Sequence, residues 1–233
     1  MKMTKMSYVA IAAMSVMMGT TAAVGAEEAA EVKSVADILS KGKYSLHIRP
    51  RYEFVDQDNT LKNANALTVR TAISAKFDTL GVDGLAAQLE LTNVSNIGAR
   101  KFAPETAGYS VVADGDQTRV TQANISYAKD DFVGVVGRKG LNLDNQRFIG
   151  TVGWRQMPQT YDLVSVAYKG IEKLDLVAAY VWKVNRIFDR DLGGLKIPDF
   201  ETNTVLLHAS YKAMPGLTIT AYDYMIASKF DHI

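Results

Sequence analysis

Strict alternation of apolar and polar residues is the feature of this chain that leaves the fewest folds open. Tyr44, Leu46, Ile48, Tyr52 and Phe54 alternate with Ser45, His47, Arg49, Arg51 and Glu53. Leu67, Val69, Thr71, Ile73, Ala75 and Phe77 alternate with Thr68, Arg70, Ala72, Ser74, Lys76 and Asp78, and Leu85, Ala87, Leu89 and Leu91 with Ala86, Gln88, Glu90 and Thr92. A period of two belongs to a strand, because successive side chains point to opposite faces. Similar runs cover 118–127, 132–138, 161–169, 174–183 (less cleanly), 204–211 and 217–228. The spacing predicts an all-β chain of about nine antiparallel strands of roughly ten residues each, the length a tilted strand needs to cross a bilayer.

The connections alternate long and short: 56–64, 79–84, 93–117, 129–131, 138–161, 170–173, 185–199 and 213–216. Outer-membrane barrels have short periplasmic turns and long external loops, and a soluble sandwich need not show that rhythm. The fold class expected is therefore an antiparallel transmembrane β-barrel. Tyr44, Tyr127, Tyr168, Tyr180, Trp182 and Tyr211 lie near strand ends, as an aromatic girdle would. A mean hydropathy of −0.03 fits, since only alternate strand residues need be apolar.

The N-terminus carries Lys2 and Lys5, an apolar run over 8–18 and small residues ending Val24-Gly25-Ala26. That is the pattern of a secretory signal peptide over 1–26, too short in its apolar part to span as a helix. Residues 27–42 read as a short helical or flexible periplasmic leader; a loose terminus is the plainer account, a plug or cap the sharper one. The barrel is expected over 43–233. The chain has 233 residues, net charge +1 and no cysteine, which gives no push toward nucleic acid and excludes disulfides and thiolate metal sites. The odd strand count predicts an incomplete chain, the first half of a larger barrel, because single-chain bacterial barrels have even counts and an open edge cannot face lipid.

The long polar connection 138–161 holds Arg138, Arg147 and Arg155 beside Asp144 and Asn145, with Phe148, Trp154 and Tyr161. It reads as an external loop folded partly over the pore. Arg49, Arg51, Arg70, Arg119 and Arg138 are expected to point away from the apolar face, and with Arg147 and Arg155 to line the pore and bind substrate. Guanidinium groups in a narrow aqueous pore attract anions, and their fork suits carboxylates. Their alternative use is pairing with Glu53, Asp78, Glu90 and Asp144. Asp144, Asn145 and Trp154 are the expected loop anchors, Asp144 and Arg147 through ion pairs. Phe148 and Trp154 could stack on sugars, although packing of the folded loop is the expected role.

The run Leu143-Asp144-Asn145-Gln146-Arg147-Phe148-Ile149-Gly150, then Gly153-Trp154-Arg155-Gln156 and Gln159-Thr160-Tyr161-Asp162, resembles the alginate-export (AlgE-like) family of outer-membrane porin-type proteins. Arg49-Pro50-Arg51-Tyr52-Glu53 and Gly137-Arg138 resemble it too. The resemblance implies a barrel of about eighteen strands with an arginine-rich, anion-selective lumen. It implies passive diffusion or export of small anionic solutes or acidic oligosaccharides such as alginate across the Gram-negative outer membrane. The partners expected are outer-membrane lipid, anionic solutes or polyuronate, and the barrel-assembly machinery, with no cofactor and no metal. Two rival classes remain. An enzyme is disfavoured: His47, His208 and His232 have no Gly-x-Ser-x-Gly elbow or metal spacing beside them. A secreted soluble carbohydrate-binding or adhesin-type module would bury Leu46, Ile48, Leu89 and Leu91 in a core.

Overall fold

The computed structural model describes residues 34–188 and 199–226. The signal-peptide reading, residues 27–33 of the leader, and the Gly193-Gly194 and Pro198 part of the fourth long connection lie outside those residues. The leader contributes one short helix, α1 (Val35–Ser40), capped by Ser34, whose hydroxyl accepts from the Asp37 N–H at 3.2 Å.

Nine strands follow: β1 (Lys43–Val55), β2 (Ala64–Phe77), β3 (Leu85–Asn96), β4 (Gln117–Lys129), β5 (Phe132–Lys139), β6 (Thr160–Ile171), β7 (Leu174–Asn185), β8 (Phe200–Met214) and β9 (Leu217–Met225). All are antiparallel to their neighbours in one sheet whose order is the chain order, as the alternation predicts. Each connection is therefore a hairpin, the cheapest way to join antiparallel strands. The tight turns are 130–131, 172–173 and 215–216. Gly216 supplies the positive φ (82°) that the last of these requires. The rhythm of lengths is clear from β3 onward but weak at the start, where loop 56–63 barely exceeds turn 78–84.

The register separates two faces. Tyr44, Leu46, Ile48 and Tyr52 of β1 sit opposite Ala75, Ile73, Thr71 and Leu67 of β2, and Ile73 in turn faces Leu91 of β3. This outward face is apolar and solvent-accessible: Leu46 is 62% exposed, Ile48 58%, Ile73 57% and Leu89 53%. A soluble sheet would bury such a row; here it lies bare along most strands. Aromatic rings gather toward the tight-turn end, with Tyr44 edge-on to Phe77 at 6.2 Å and Phe132 stacked on Tyr168 at 4.4 Å. Tyr180 and Trp182 lie toward the long-loop end of β7.

The inward face is polar in its middle and packed where loops fold onto it. Leu141, Leu143 and Ile149 of loop 140–159 bury against Leu163, Ala179, Val181 and Leu206 of β6–β8. Phe102 and Val112 of loop 97–116 bury against Ala64 and Ala66 of β2. Among the described residues no helix is long and apolar enough to cross a membrane.

Candidate functional site

The site is built on the middle of β1, where Arg49, Arg51 and Glu53 share the inward face. Loop 140–159 lies across them. Arg49 donates from Nε to Gln156 Oε1 at 2.8 Å and from its terminal nitrogens to the carbonyls of Gly153 and Arg155. Arg51 donates to the Trp154 carbonyl and to Glu53 at 2.6 Å. Arg155 returns from the loop to Glu53 at 2.9 Å. Gln156 is fully buried and donates to the Arg49 carbonyl (3.1 Å) and to Thr68 Oγ1 (3.1 Å) of β2. Three consecutive loop carbonyls thus cap two arginines, because a guanidinium carries five donors and a loop backbone carries unsatisfied acceptors.

The same loop is held at its other end on the far side of the sheet. Asp144 Oδ1 lies 2.8 Å from His208 Nε2 of β8, and the Tyr224 hydroxyl of β9 reaches Asp144 Oδ2 at 3.4 Å. On a flat sheet β1 and β8 would stand about 34 Å apart, seven spacings of about 4.8 Å. The loop is not extended enough for that, since tight turns close it at Leu143–Gln146 and Val152–Arg155. The sheet therefore curves strongly around the loop, and the inward face is concave.

Loop 97–116 adds Asp114, whose side chain is wholly buried. Its Oδ1 accepts the Gln156 N–H at 2.9 Å, which joins the two loops. Its Oδ2 sits 3.5 Å from Arg51 Nε and 3.8 Å from Arg155 Nη1. Burial pushes this carboxyl up from its ordinary range, against the Gln156 N–H and the two guanidiniums, which pull it down. Deeper on the same face, Arg70 stands 3.9 Å from Glu90, which accepts from Thr121 at 2.7 Å. Arg119 of β4 ties both ends of the fourth long connection inward, through Asp199 at 2.7 Å and the Arg186 carbonyl.

The inner cluster sets Arg49, Arg51, Arg70, Arg119 and Arg155 against Glu53, Glu90, Asp114 and Asp199. Lys76 and Lys139 alternate onto this face with the buried Ser74 and Val135. The concavity is positive on balance, although most arginines also have a carboxylate partner. Of the uses foreseen for the arginines, pairing with carboxylates is present for Arg51, Arg70, Arg119 and Arg155.

Other expected residues are placed differently. Arg138 closes on the wall itself, donating to both oxygens of Asp162 at 2.7 and 2.9 Å. Gly137 just before it has φ 119°, and a Cβ there would meet the Ala123 carbonyl at 2.3 Å. Arg147 makes no ion pair to the wall among the described residues; it lies over the Phe148 ring at 5.7 Å. Asn145 acts locally, accepting the Arg147 N–H at 3.1 Å. Trp154 anchors by its carbonyl alone, its indole being 64% exposed. Phe148 is 59% exposed, yet its ring lies 6.1 Å from that of Tyr222 of β9, so of the two rings it is the Trp154 indole that does not pack the folded loop as expected. The residues missed are Gln156, Asp114, Tyr224 and the role of His208. Gln156 and Arg49 are 107 residues apart, and no local spacing announces such a pair.

No family model matches the chain, and no curated protein matches it. Solved structures do. OccAB2 of Acinetobacter baumannii aligns with a TM-score of 0.62 and 21% identity, over 81% of this chain and 50% of its own. OccAB4 of Acinetobacter baumannii gives 0.61 and 17%, over 79% and 51%. A BenF-like porin from Pseudomonas fluorescens Pf-5 gives 0.54 and 13%, over 80% and 50%. This chain spans about half the length of each. At such identities the likeness is one of fold: nine strands of this chain follow the wall of outer-membrane β-barrel porins. These neighbours carry the porin architecture and not the alginate-export family in particular.

Proposed function

We propose that the chain forms part of the wall and the constriction of an outer-membrane porin-type channel that passes small anionic solutes by diffusion. The observation that supports this most is loop 140–159, held at β8 by Asp144 and at β1 by Gln156, with a surplus of cationic side chains beneath it. A loop across a concave, polar, water-filled face narrows the passage, and fixed guanidiniums there raise the local concentration of anions. The bare apolar outer face is suited to lipid, and a soluble binding module has no use for it. Acidic oligosaccharides such as alginate are the extended end of this solute class. Export to the Gram-negative outer membrane behind a cleaved signal peptide, and assembly by the barrel-assembly machinery, belong to the same reading. No covalent step is required.

The test is reversal potential in a KCl gradient across a planar bilayer, with the protein as encoded by its own gene and its Arg51→Glu/Arg70→Glu double variant. Anion selectivity in the wild type and a shift toward cations in the variant are expected. Equal reversal potentials for the two would remove these residues from the conduction path. A protein that stays soluble without detergent and passes no current would overturn the channel reading.

A further inference from the structure

Asp114 is the carboxylate for which the loop architecture gives the least structural reason. Its Oδ1 is used, by the Gln156 N–H at 2.9 Å. Its Oδ2 is buried with no hydrogen-bond donor, although it lies 3.5 Å from Arg51 Nε and 3.8 Å from Arg155 Nη1. An amide oxygen at the Oδ1 position would join the two loops equally well. A buried charged oxygen without a donor is costly, and such a group calls for an explanation other than packing. What the second oxygen does carry is charge. It places a unit negative charge against two guanidiniums whose hydrogen-bonded carboxylate is Glu53.

We propose that Asp114 is a selectivity-setting residue of the constriction: from behind the loop it offsets Arg51 and Arg155, and so limits how strongly the passage favours anions. The inference rests on the channel reading. It makes Asp114 a positioning residue for charge, acting on permeating ions through the two arginines and never touching them. A pore that held anions too firmly would release them slowly, since conduction needs sites weak enough to leave. An offset carboxylate inside the arginine cluster is one way to stay below that limit.

The experiment compares the wild type with Asp114→Asn and Asp114→Ser in planar bilayers, at about 0.1 M and about 1 M KCl. Both substitutes remove the charge; Asn keeps an oxygen at the Oδ1 position for the Gln156 N–H, and Ser offers a hydroxyl one bond nearer the backbone. At low salt the anion-to-cation permeability ratio should rise about two-fold, the effect of one unit charge acting with opposite sign on anion and cation over about 10 Å of water and screened by a Debye length of about 10 Å. At about 1 M KCl, where the Debye length is about 3 Å, the shift should nearly vanish and the conductance should match the wild type. A purely structural role would instead change conductance at both salts. An anion-selective wild type with unchanged ratios in both variants would overturn the role of Asp114 and leave the channel reading standing. A silent or cation-selective wild type would overturn both. Loss of the heat-modifiable folded band in both variants would also overturn the proposal, because the carboxylate would then be needed for folding.

Discussion

Replacing Gln156 by alanine should release the β1 end of loop 140–159. The side chain accepts from Arg49 Nε at 2.8 Å and donates to Thr68 Oγ1 and the Arg49 carbonyl, both at 3.1 Å. A hydrogen bond to a charged partner contributes about 1.5–3 kcal/mol, and the buried Thr68 hydroxyl would lose a donor as well. Arg49 keeps its bonds to the Gly153 and Arg155 carbonyls, so part of the attachment survives. The net loss is about 3 kcal/mol, which raises the population of the detached loop about 100-fold. The readout is tryptic cleavage of the Arg155–Gln156 bond in detergent-solubilised folded protein, with cleavage slow enough that its rate follows the open population. A rise of about two orders of magnitude is expected for Gln156→Ala. Trp154→Ala is the control: its indole is exposed and its carbonyl remains, so cleavage should stay at the wild-type rate. An unchanged rate in Gln156→Ala would mean that the loop is held by its apolar root at Leu141 and Leu143, and that the arginine contacts follow rather than cause its position.

Two further outcomes are expected. Ile73→Arg, in mid-β2 opposite Leu46 and Leu91, should cost about 2–4 kcal/mol of folding stability in vesicles, the cost of a lipid-facing cation near the midplane; a cost near zero by urea unfolding would count against lipid contact there. Because burial raises the Asp114 carboxyl above 3.8, that group takes up its proton earlier than an ordinary aspartate as pH falls. The folded state then binds the proton more tightly than the unfolded state. Its contribution to stability is therefore fully present below the ordinary value and is lost as pH rises through the raised one. The anion-to-cation ratio should rise in the same window on acidification. Asp114→Asn should flatten that part of both pH profiles, and a wild-type pH slope surviving intact in the variant would assign it to another group.

The nine strands were legible because the side-chain period of a strand is a local property. Two residues apart means the same face, so Leu46 and Ile48 against His47 and Arg49 declare a two-faced sheet without knowledge of any partner. The hairpin order was legible too, since short turns such as 130–131 leave an antiparallel neighbour as the only reachable pairing. The loop was recognisable as a loop, and Arg49, Arg51 and Arg155 as inner charges, from composition and parity alone.

What alternation cannot carry is which loop group meets which wall group. Gln156 reads as one more polar loop residue until the curvature of the sheet brings it to Arg49 and Thr68. Asp144 was expected to pin the loop to the wall, but nothing local named its partners, His208 and Tyr224, 64 and 80 residues on. Arg138 was expected on the polar face, and the β5–β6 register sets it beside Asp162, a partner the sequence did not name. Trp154 and Phe148 looked like packing residues because aromatic rings usually are; the Trp154 indole is left exposed, and the Phe148 ring finds Tyr222 of β9, 74 residues on. In each case the sequence by itself determined the chemistry each group brings and the face on which a strand displays it. Only the tertiary structure decided the partner, because partner choice depends on strand register and sheet curvature, which sum small local twists over many residues.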